Sequence, residues 1–137
     1  MENRYLFRAK RIDNGKWAEG YYTYYPCGFT SEDKVEHVIR DTVPEYCINL
    51  YFVDPSTICQ CTGLKDKNGK MIWENDILKS KHMKYRVIWC RKEGSWMLQS
   101  YSGAMYGIGS INSNKYEAVA NIFDEGSEGL GKGAEEN

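Results

Sequence analysis

At 137 residues, with 42% hydrophobic and 14% aromatic side chains, the chain suffices for one or two small units with buried cores, not for a multidomain enzyme. Eighteen bases against nineteen acids leave a net charge of -1, which excludes a polycation that binds nucleic acid by overall charge alone. No apolar run approaches the roughly 20 residues of a membrane span, and the charged start Met1-Glu2-Asn3-Arg4 lacks the apolar centre of a secretion signal. The expected location is therefore a cytoplasm, with no membrane partner.

In chain order, Arg4 to Lys10 alternates as a strand and Asp13-Asn14-Gly15-Lys16 is a turn signature. Trp17 to Tyr25 returns as an aromatic-rich second strand, completing a hairpin. Pro26-Cys27-Gly28 breaks the pattern. Thr30 or Ser31 can cap a short helix whose apolar side would include Val35, Val38 and Ile39. Asp41 to Pro44 reads as a loop, Tyr46 to Val53 as a strand, and Asp54-Pro55 as a stop.

Thr57 to Thr62 is a short strand. The turn Lys65 to Lys70 contains Asn68-Gly69, the strongest hairpin signal in the chain, and Met71 to Trp73 returns from it. Asp76 to Lys79 and Lys84 to Cys90 are further strands, and Lys92-Glu93-Gly94 turns the latter into Ser95 to Ser100. Ser102 to Ser113 reads as a long loop. Tyr116 to Phe123 fits a closing strand or a helix, and Gly126 to Asn137, with four glycines, reads as a disordered tail. Seven or eight short strands argue for a mainly β protein of the small-barrel kind. The expected organisation is an N-terminal β unit over 1–53, a small β-barrel over 54–124 and a flexible acidic tail over 125–137.

The stretch Asp54-Pro-Ser-Thr-Ile-Cys-Gln-Cys-Thr-Gly-Leu-Lys-Asp-Lys-Asn-Gly-Lys-Met-Ile-Trp-Glu-Asn-Asp-Ile-Leu78 resembles the signature of the YopX-like proteins of phages and prophages. Their Gln-x-Thr-Gly-Leu-x-Asp-x-x-Gly core is matched by Gln60, Thr62, Gly63, Leu64, Asp66 and Gly69. Their Ile-aromatic-Glu-Gly-Asp-Ile segment is matched by Ile72, Trp73, Glu74, Asp76 and Ile77. The opening Tyr5-Leu-Phe-Arg-Ala9 and the closing Glu117-Ala-Val-Ala-Asn-Ile-Phe123 also resemble the family's ends. Asn75 and Ala120 stand where the family usually has Gly; if Asn75 needs positive φ, Asn is the next best residue. The resemblance implies an SH3-like barrel in the second half and a phage or mobile-element origin in a bacterial host; it implies no established activity. In physical terms the motif reads as fold-specifying. Gly63 and Gly69 permit turns, Asp66 can bond backbone amides, and Leu64, Ile72, Trp73 and Ile77 supply core.

Candidate chemistry is sparse. Five cysteines (Cys27, Cys47, Cys59, Cys61 and Cys90) include no Cys-x-x-Cys pair, so they read as reduced, packed thiols. Cys59 and Cys61 share a strand face, and His37, His82, Cys27 or Cys47 could complete a metal set, but zinc sites use wider spacing. Nothing local ties either histidine to a cysteine nucleophile. Glu74 and Asp76, two apart, are the one carboxylate pair for acid–base or magnesium chemistry, in a turn setting that favours backbone capping. Neither a metal nor a cofactor is expected, and the chain is not expected to be an enzyme.

Two binding readings remain. Removing Asp124, Glu125, Glu128, Glu135, Glu136 and Lys132 leaves seventeen bases against fourteen acids, a body of net +3. Within it Lys79, Lys81, Lys84, Arg86, Arg91 and Lys92 run without an acid and interleave with Tyr85 and Trp89, as a nucleic-acid binder would. The alternation of Tyr85, Val87 and Trp89 on one side supports instead aromatics turned to a core, with the bases as a solvated face. The leading reading is a protein-interaction or self-assembling module. Tyr21 to Tyr25 puts tyrosines on both faces of one strand, with Tyr22 and Tyr24 as candidate contacts, and short sheets leave edges to cover. The expected partners are a second copy or a host or phage protein, with nucleic acid as the alternative.

Overall fold

The computed structural model describes residues 5–26, 35–40, 49–81, 83–107 and 115–124, which form eleven strands and a 3-10 turn with no α-helix. The chain divides into two compact units, one ending at Cys61 and one starting at Thr62. The division falls inside the strand Cys59–Lys65.

In the first unit β1 (Phe7–Lys10), β2 (Trp17–Pro26), β3 (Val35–Arg40) and β4 (Leu50–Phe52) pair antiparallel in sequence order. β5 (Cys59–Lys65) begins on the other side of β1, with Gln60 opposite Phe7. Gly15 takes the positive φ of 71° that the first hairpin turn needs. The sheet curls, so that the chain after β4 returns to the end of β1. Arg11 bridges Val53, Ile12 N donates to the Phe52 carbonyl at 2.9 Å, and Asp54 N donates to the Lys10 carbonyl at 2.9 Å. Ala9, Ala18, Ile39 and Val53 are buried inside the curl, with Phe7, Tyr22, Tyr51 and Ile58 packed against them. The 3-10 turn Pro55–Thr57 is capped by Asp54, whose carboxylate accepts from Ser56 N at 3.0 Å. The Thr57 hydroxyl ties that turn back to β1 by accepting from Lys10 N at 2.8 Å.

The second unit continues with β6 (Met71–Trp73), β7 (Asp76–Ser80), β8 (Met83–Cys90), β9 (Ser95–Ser100), β10 (Met105–Gly107) and β11 (Glu117–Asn121). The antiparallel order β10-β9-β8-β7-β11 leaves β10 and β11 as edges among the described residues. The protein is mainly β as expected, but the barrel anticipated for this half is not closed. Leu78, Val87 and Leu98 project from one sheet face onto Ile72, Tyr116 and Ala118, and this is the larger core of the unit. Ile77, on the other face, packs with Ile122, Ala120 and Phe123. A bulge between Ala118 and Ala120 lets β11 serve both clusters and leaves Val119 exposed.

Several local expectations need correction. Val38 and Ile39 are strand residues because they register against Thr23 and Tyr22 of β2; the helix start at 30–33 lies outside the described residues. The strand expected over 46–53 is short, Leu50–Phe52, with 46–48 outside the described residues. The segment expected as loop, 102–113, contains β10, because Met105 to Gly107 pair with Gln99 to Met97 of β9. Tyr116 to Phe123 is the strand, not the helix. Leu64 is 38% exposed and supplies little core, since it follows Gly63 (φ 81°) on the outer end of β5.

Candidate functional site

The signature residues are occupied in holding turns. Thr62, buried on β5, donates its hydroxyl to the Ile72 carbonyl at 2.7 Å and accepts from Leu64 N at 3.1 Å. Asp66 heads the turn in which Gly69 has φ 79°. Its Oδ1 accepts from Asn68 N and Lys70 N at 2.8 and 2.9 Å, and its Oδ2 accepts from Ala118 N of β11 at 2.9 Å. Burial pushes this carboxyl upward, but the three backbone donors and Lys70 outweigh it, and the net shift is downward. Ile72, Trp73 and Ile77 are buried and Gln60 is half-buried.

Glu74 and Asp76 do not form a solvent-facing acid–base pair. Asp76 is buried, its Oδ2 accepting from Trp73 N at 2.8 Å and its Oδ1 from Asn121 Nδ2 at 3.0 Å. Asn121, fully buried, also donates to the Glu74 carbonyl at 3.1 Å. Asn75 between them has φ 68°, so this turn does need a left-handed residue.

The basic stretch is divided by the pleat and by its turns. Lys79 and Lys84 are register partners on one face of β7 and β8, and Arg86 follows on that face. Arg86 Nε and Nη2 both donate to Asn75 Oδ1, at 3.1 and 2.8 Å, so its guanidinium braces the turn. Lys81 sits in the β7–β8 turn with φ 50°. Arg91 and Lys92 lie in the turn at the other end of β8. Tyr85 is wedged edge-on against Tyr106 and Tyr116. Trp89 is 46% exposed and packs edge-on against Trp96, on the face opposite Lys84 and Arg86. Lys79, Lys84 and Arg86 therefore lie on the sheet face opposite Tyr85 and Trp89.

Cys59 and Cys61 are both buried, and the Cys59 thiol donates to the Thr57 carbonyl at 3.3 Å. His37 Nδ1 and the Tyr22 hydroxyl are 2.6 Å apart with stacked rings. Cys27, Cys47 and His82, the other ligand candidates, lie outside the described residues, and no three metal-binding side chains cluster among those described. Tyr22 is half-buried against Phe7, and burial, then Tyr24, raises its phenol above the ordinary value. Tyr24 is exposed, its ring 6.4 Å from His37.

A recess in the first unit was not anticipated from sequence. Where the β1–β2 turn meets β4, a cavity of about 440 Å³ opens between Arg11, Ile12 and Asp13 on one side and Leu50, Tyr51 and Phe52 on the other, with Glu36 of β3 beside them. Three apolar side chains stand at it exposed to solvent: Ile12 at 66%, Phe52 at 53% and Leu50 at 47%. Arg11 donates from Nε and Nη2 to the two Asp13 oxygens at 2.9 and 2.6 Å. Its guanidinium also lies 4.6 Å from the Tyr51 ring centre. That bond to Arg11 holds the Asp13 carboxyl below its ordinary range. The sequence signal was Ile12, an apolar residue at the head of a polar turn with no alternating partner.

No curated protein matches the sequence. A family model described as YopX protein matches residues 6–127, most of the chain.

Proposed function

The chain belongs to the YopX protein family, and from that membership and the first unit's cavity we propose a non-enzymatic phage or prophage accessory protein that works by protein interaction or self-assembly in the host cytoplasm. The observation that carries this reading is the set of solvent-facing apolar side chains, Ile12, Leu50 and Phe52, gathered around one recess at a sheet edge. Isolated exposed apolar residues are ordinary; a group of them beside a concavity with charged neighbours is how a protein-binding patch is built. Asp76, the buried member of the one carboxylate pair weighed for chemistry, supports the same reading, because its two oxygens accept from Trp73 N and Asn121 Nδ2.

Sedimentation velocity across a concentration series tests this, with chemical cross-linking to host proteins as the second arm. The expected result is association, with itself or a defined partner, that Phe52→Glu abolishes and Lys84→Glu leaves unchanged. A wild type that stays monomeric and cross-links to the same proteins as Phe52→Glu would sink the reading.

The alternative is a nucleic-acid-binding module using Lys79 to Lys92. Its specific support is the juxtaposition of Lys79 and Lys84, a like-charge pair that a phosphate would relieve. Anisotropy with mixed-sequence DNA and RNA separates the two: this alternative requires affinity that falls steeply with salt and on Lys84→Glu.

A further inference from the structure

We propose that the lysine-bearing face of the second sheet is a docking surface for an acidic segment, and that its occupant is the chain's own residues 125–137, bound in cis. The proposal is independent of the recess in the first unit and reaches beyond the interaction reading above.

Charge is divided along this part of the chain. Residues 62–124 carry eight lysines and two arginines against three aspartates and three glutamates. Asp66 and Asp76 among those acids are buried and accept from backbone donors of the fold. Residues 125–137, which lie outside the described residues, carry Glu125, Glu128, Glu135 and Glu136 against the single base Lys132. On the sheet, Lys79 stands in register between Glu117 and Lys84. Glu117 is drawn to Lys67 at 3.8 Å, so this one acid is shared among three lysines. Lys79 and Lys84 are both exposed, and neither forms an ion pair among the described residues. A carboxylate placed over them relieves their repulsion.

The described chain ends where such a carboxylate can be supplied. Asp124 N donates to the Asn121 carbonyl at 2.9 Å, closing a turn at the end of β11, and Asp124 Oδ2 accepts from Asn121 N at 2.9 Å. A turn closed in this way reverses the chain. Phe123 packs against Ile77 and Ile122, and Ile77 shares its face of β7 with Lys79, so the turn sits on the lysine face. Lys79 is two residues along β7 from Ile77, about 7 Å. Glu125 is the same number of residues beyond Phe123, and Glu128 follows within about 10 Å more of extended chain. Tethering holds these carboxylates at an effective concentration on the order of millimolar, which favours them over a nucleic acid competing from solution.

The test compares the intact chain with a variant of the same length in which all four acids are neutralised, Glu125→Gln, Glu128→Gln, Glu135→Gln and Glu136→Gln, by amide NMR at low salt. The Lys79 and Lys84 amides, distant in sequence from the changes, should shift, and Glu93→Gln, an exposed acid in the β8–β9 turn, should leave them in place. Salt of about 0.5 M should bring the wild-type amides to the variant's positions. A synthetic peptide of residues 125–137 added to the neutralised variant should restore the wild-type positions, and Lys79→Gln with Lys84→Gln should weaken it at least about fivefold. Lys79 and Lys84 amides that stay in place in the neutralised variant would overturn the proposal. So would wild-type positions that move toward the variant's on dilution, which would give the face to a second copy's segment. Fluorescein-labelled mixed-sequence single-stranded DNA is the remaining arm. Affinity that neutralising the acids raises at least about threefold supports the proposal. Affinity that the two lysine substitutions lower, yet that neutralising the acids leaves unchanged, would assign the face to nucleic acid and overturn it.

Discussion

Asn121 donates from Nδ2 to Asp76 Oδ1 at 3.0 Å, joining β11 to β7 across 45 positions of sequence with both side chains buried. The second Asp76 oxygen takes Trp73 N, so both carboxylate oxygens are engaged by protein donors. Asp76→Asn presents an amide NH₂ to one of those donors and should cost about 1–3 kcal/mol, read as a lower urea midpoint. Asn121→Ala, which also removes the Nδ2 donor to the Glu74 carbonyl, should cost at least as much. An unchanged midpoint in Asp76→Asn would reopen a chemical role for this carboxylate.

Asp66 should make the fold acid-sensitive. Its folded pKa lies below the ordinary 3.8 because three backbone amides and Lys70 stabilise the ionised form more than burial opposes it. A group depressed on folding contributes in full above its unfolded pKa and loses that contribution as pH falls through the folded one. The gap in urea midpoint between wild type and Asp66→Asn should therefore be constant from pH 7 to about 5 and shrink as pH drops below 3.8. A gap that widens on acidification would contradict the assignment.

Asn75 combines a left-handed backbone, φ 68°, with a side-chain oxygen that holds Arg86. Asn75→Ala keeps the strain and loses both hydrogen bonds, for an expected loss of about 1–2 kcal/mol. Asn75→Gly loses the bonds but relieves the strain, so its thermal midpoint should lie between those of wild type and Ala. A midpoint for Asn75→Gly at or above wild type would mean that the Arg86 contacts contribute nothing.

Gly20 faces Phe7 across β1 and β2, and a Cβ there would land on the backbone carbonyl of Arg40, with Ile39 Cγ2 a further 3.2 Å contact. Backbone cannot swing aside as a side chain can. Gly20→Ala should destabilise the first unit by about 3 kcal/mol or more, seen as a lower thermal midpoint with the amides of β3 shifted. A midpoint within 1 °C of wild type would show that β3 moves without cost.

Lys79 and Lys84 stand directly opposite on one face of the second sheet, both exposed. Lys84→Glu replaces repulsion by attraction and should raise the thermal midpoint by roughly 1–2 °C at low salt, an effect that high salt erases. A fall at low salt would show that this lysine has a stabilising role the register does not reveal.

Local patterns were the most legible part of the molecule. Alternation marked β1, β2, β8 and β9, and Asn68-Gly69 marked the β5–β6 turn, because period-two side-chain placement and positive φ are properties of a few neighbouring residues. The signature's structural role was legible for the same reason: Asp66 and Asn75 sit in turns whose geometry their own residue types announce. The alternation of Tyr85, Val87 and Trp89 also foretold that these aromatics would leave the lysine face. Less legible were β3 and β10, whose strand state depends on partners in β2 and β9 rather than on their own composition.

The sequence alone determined the mainly β class, the family and the turn residues, since each is written in spacing and side-chain type. Tertiary structure alone decided which polar groups remain available. Asp76 and Arg86 look like site residues in a string of letters, yet pairing across distant positions consumes them at Asn121 and Asn75. It also made the cavity, because Ile12 and Phe52 become neighbours only when the end of β4 returns to β1 through the Ile12–Phe52 hydrogen bond. That contact spans 40 positions of sequence, a distance over which no periodicity carries information and only the curl of the sheet brings the side chains together.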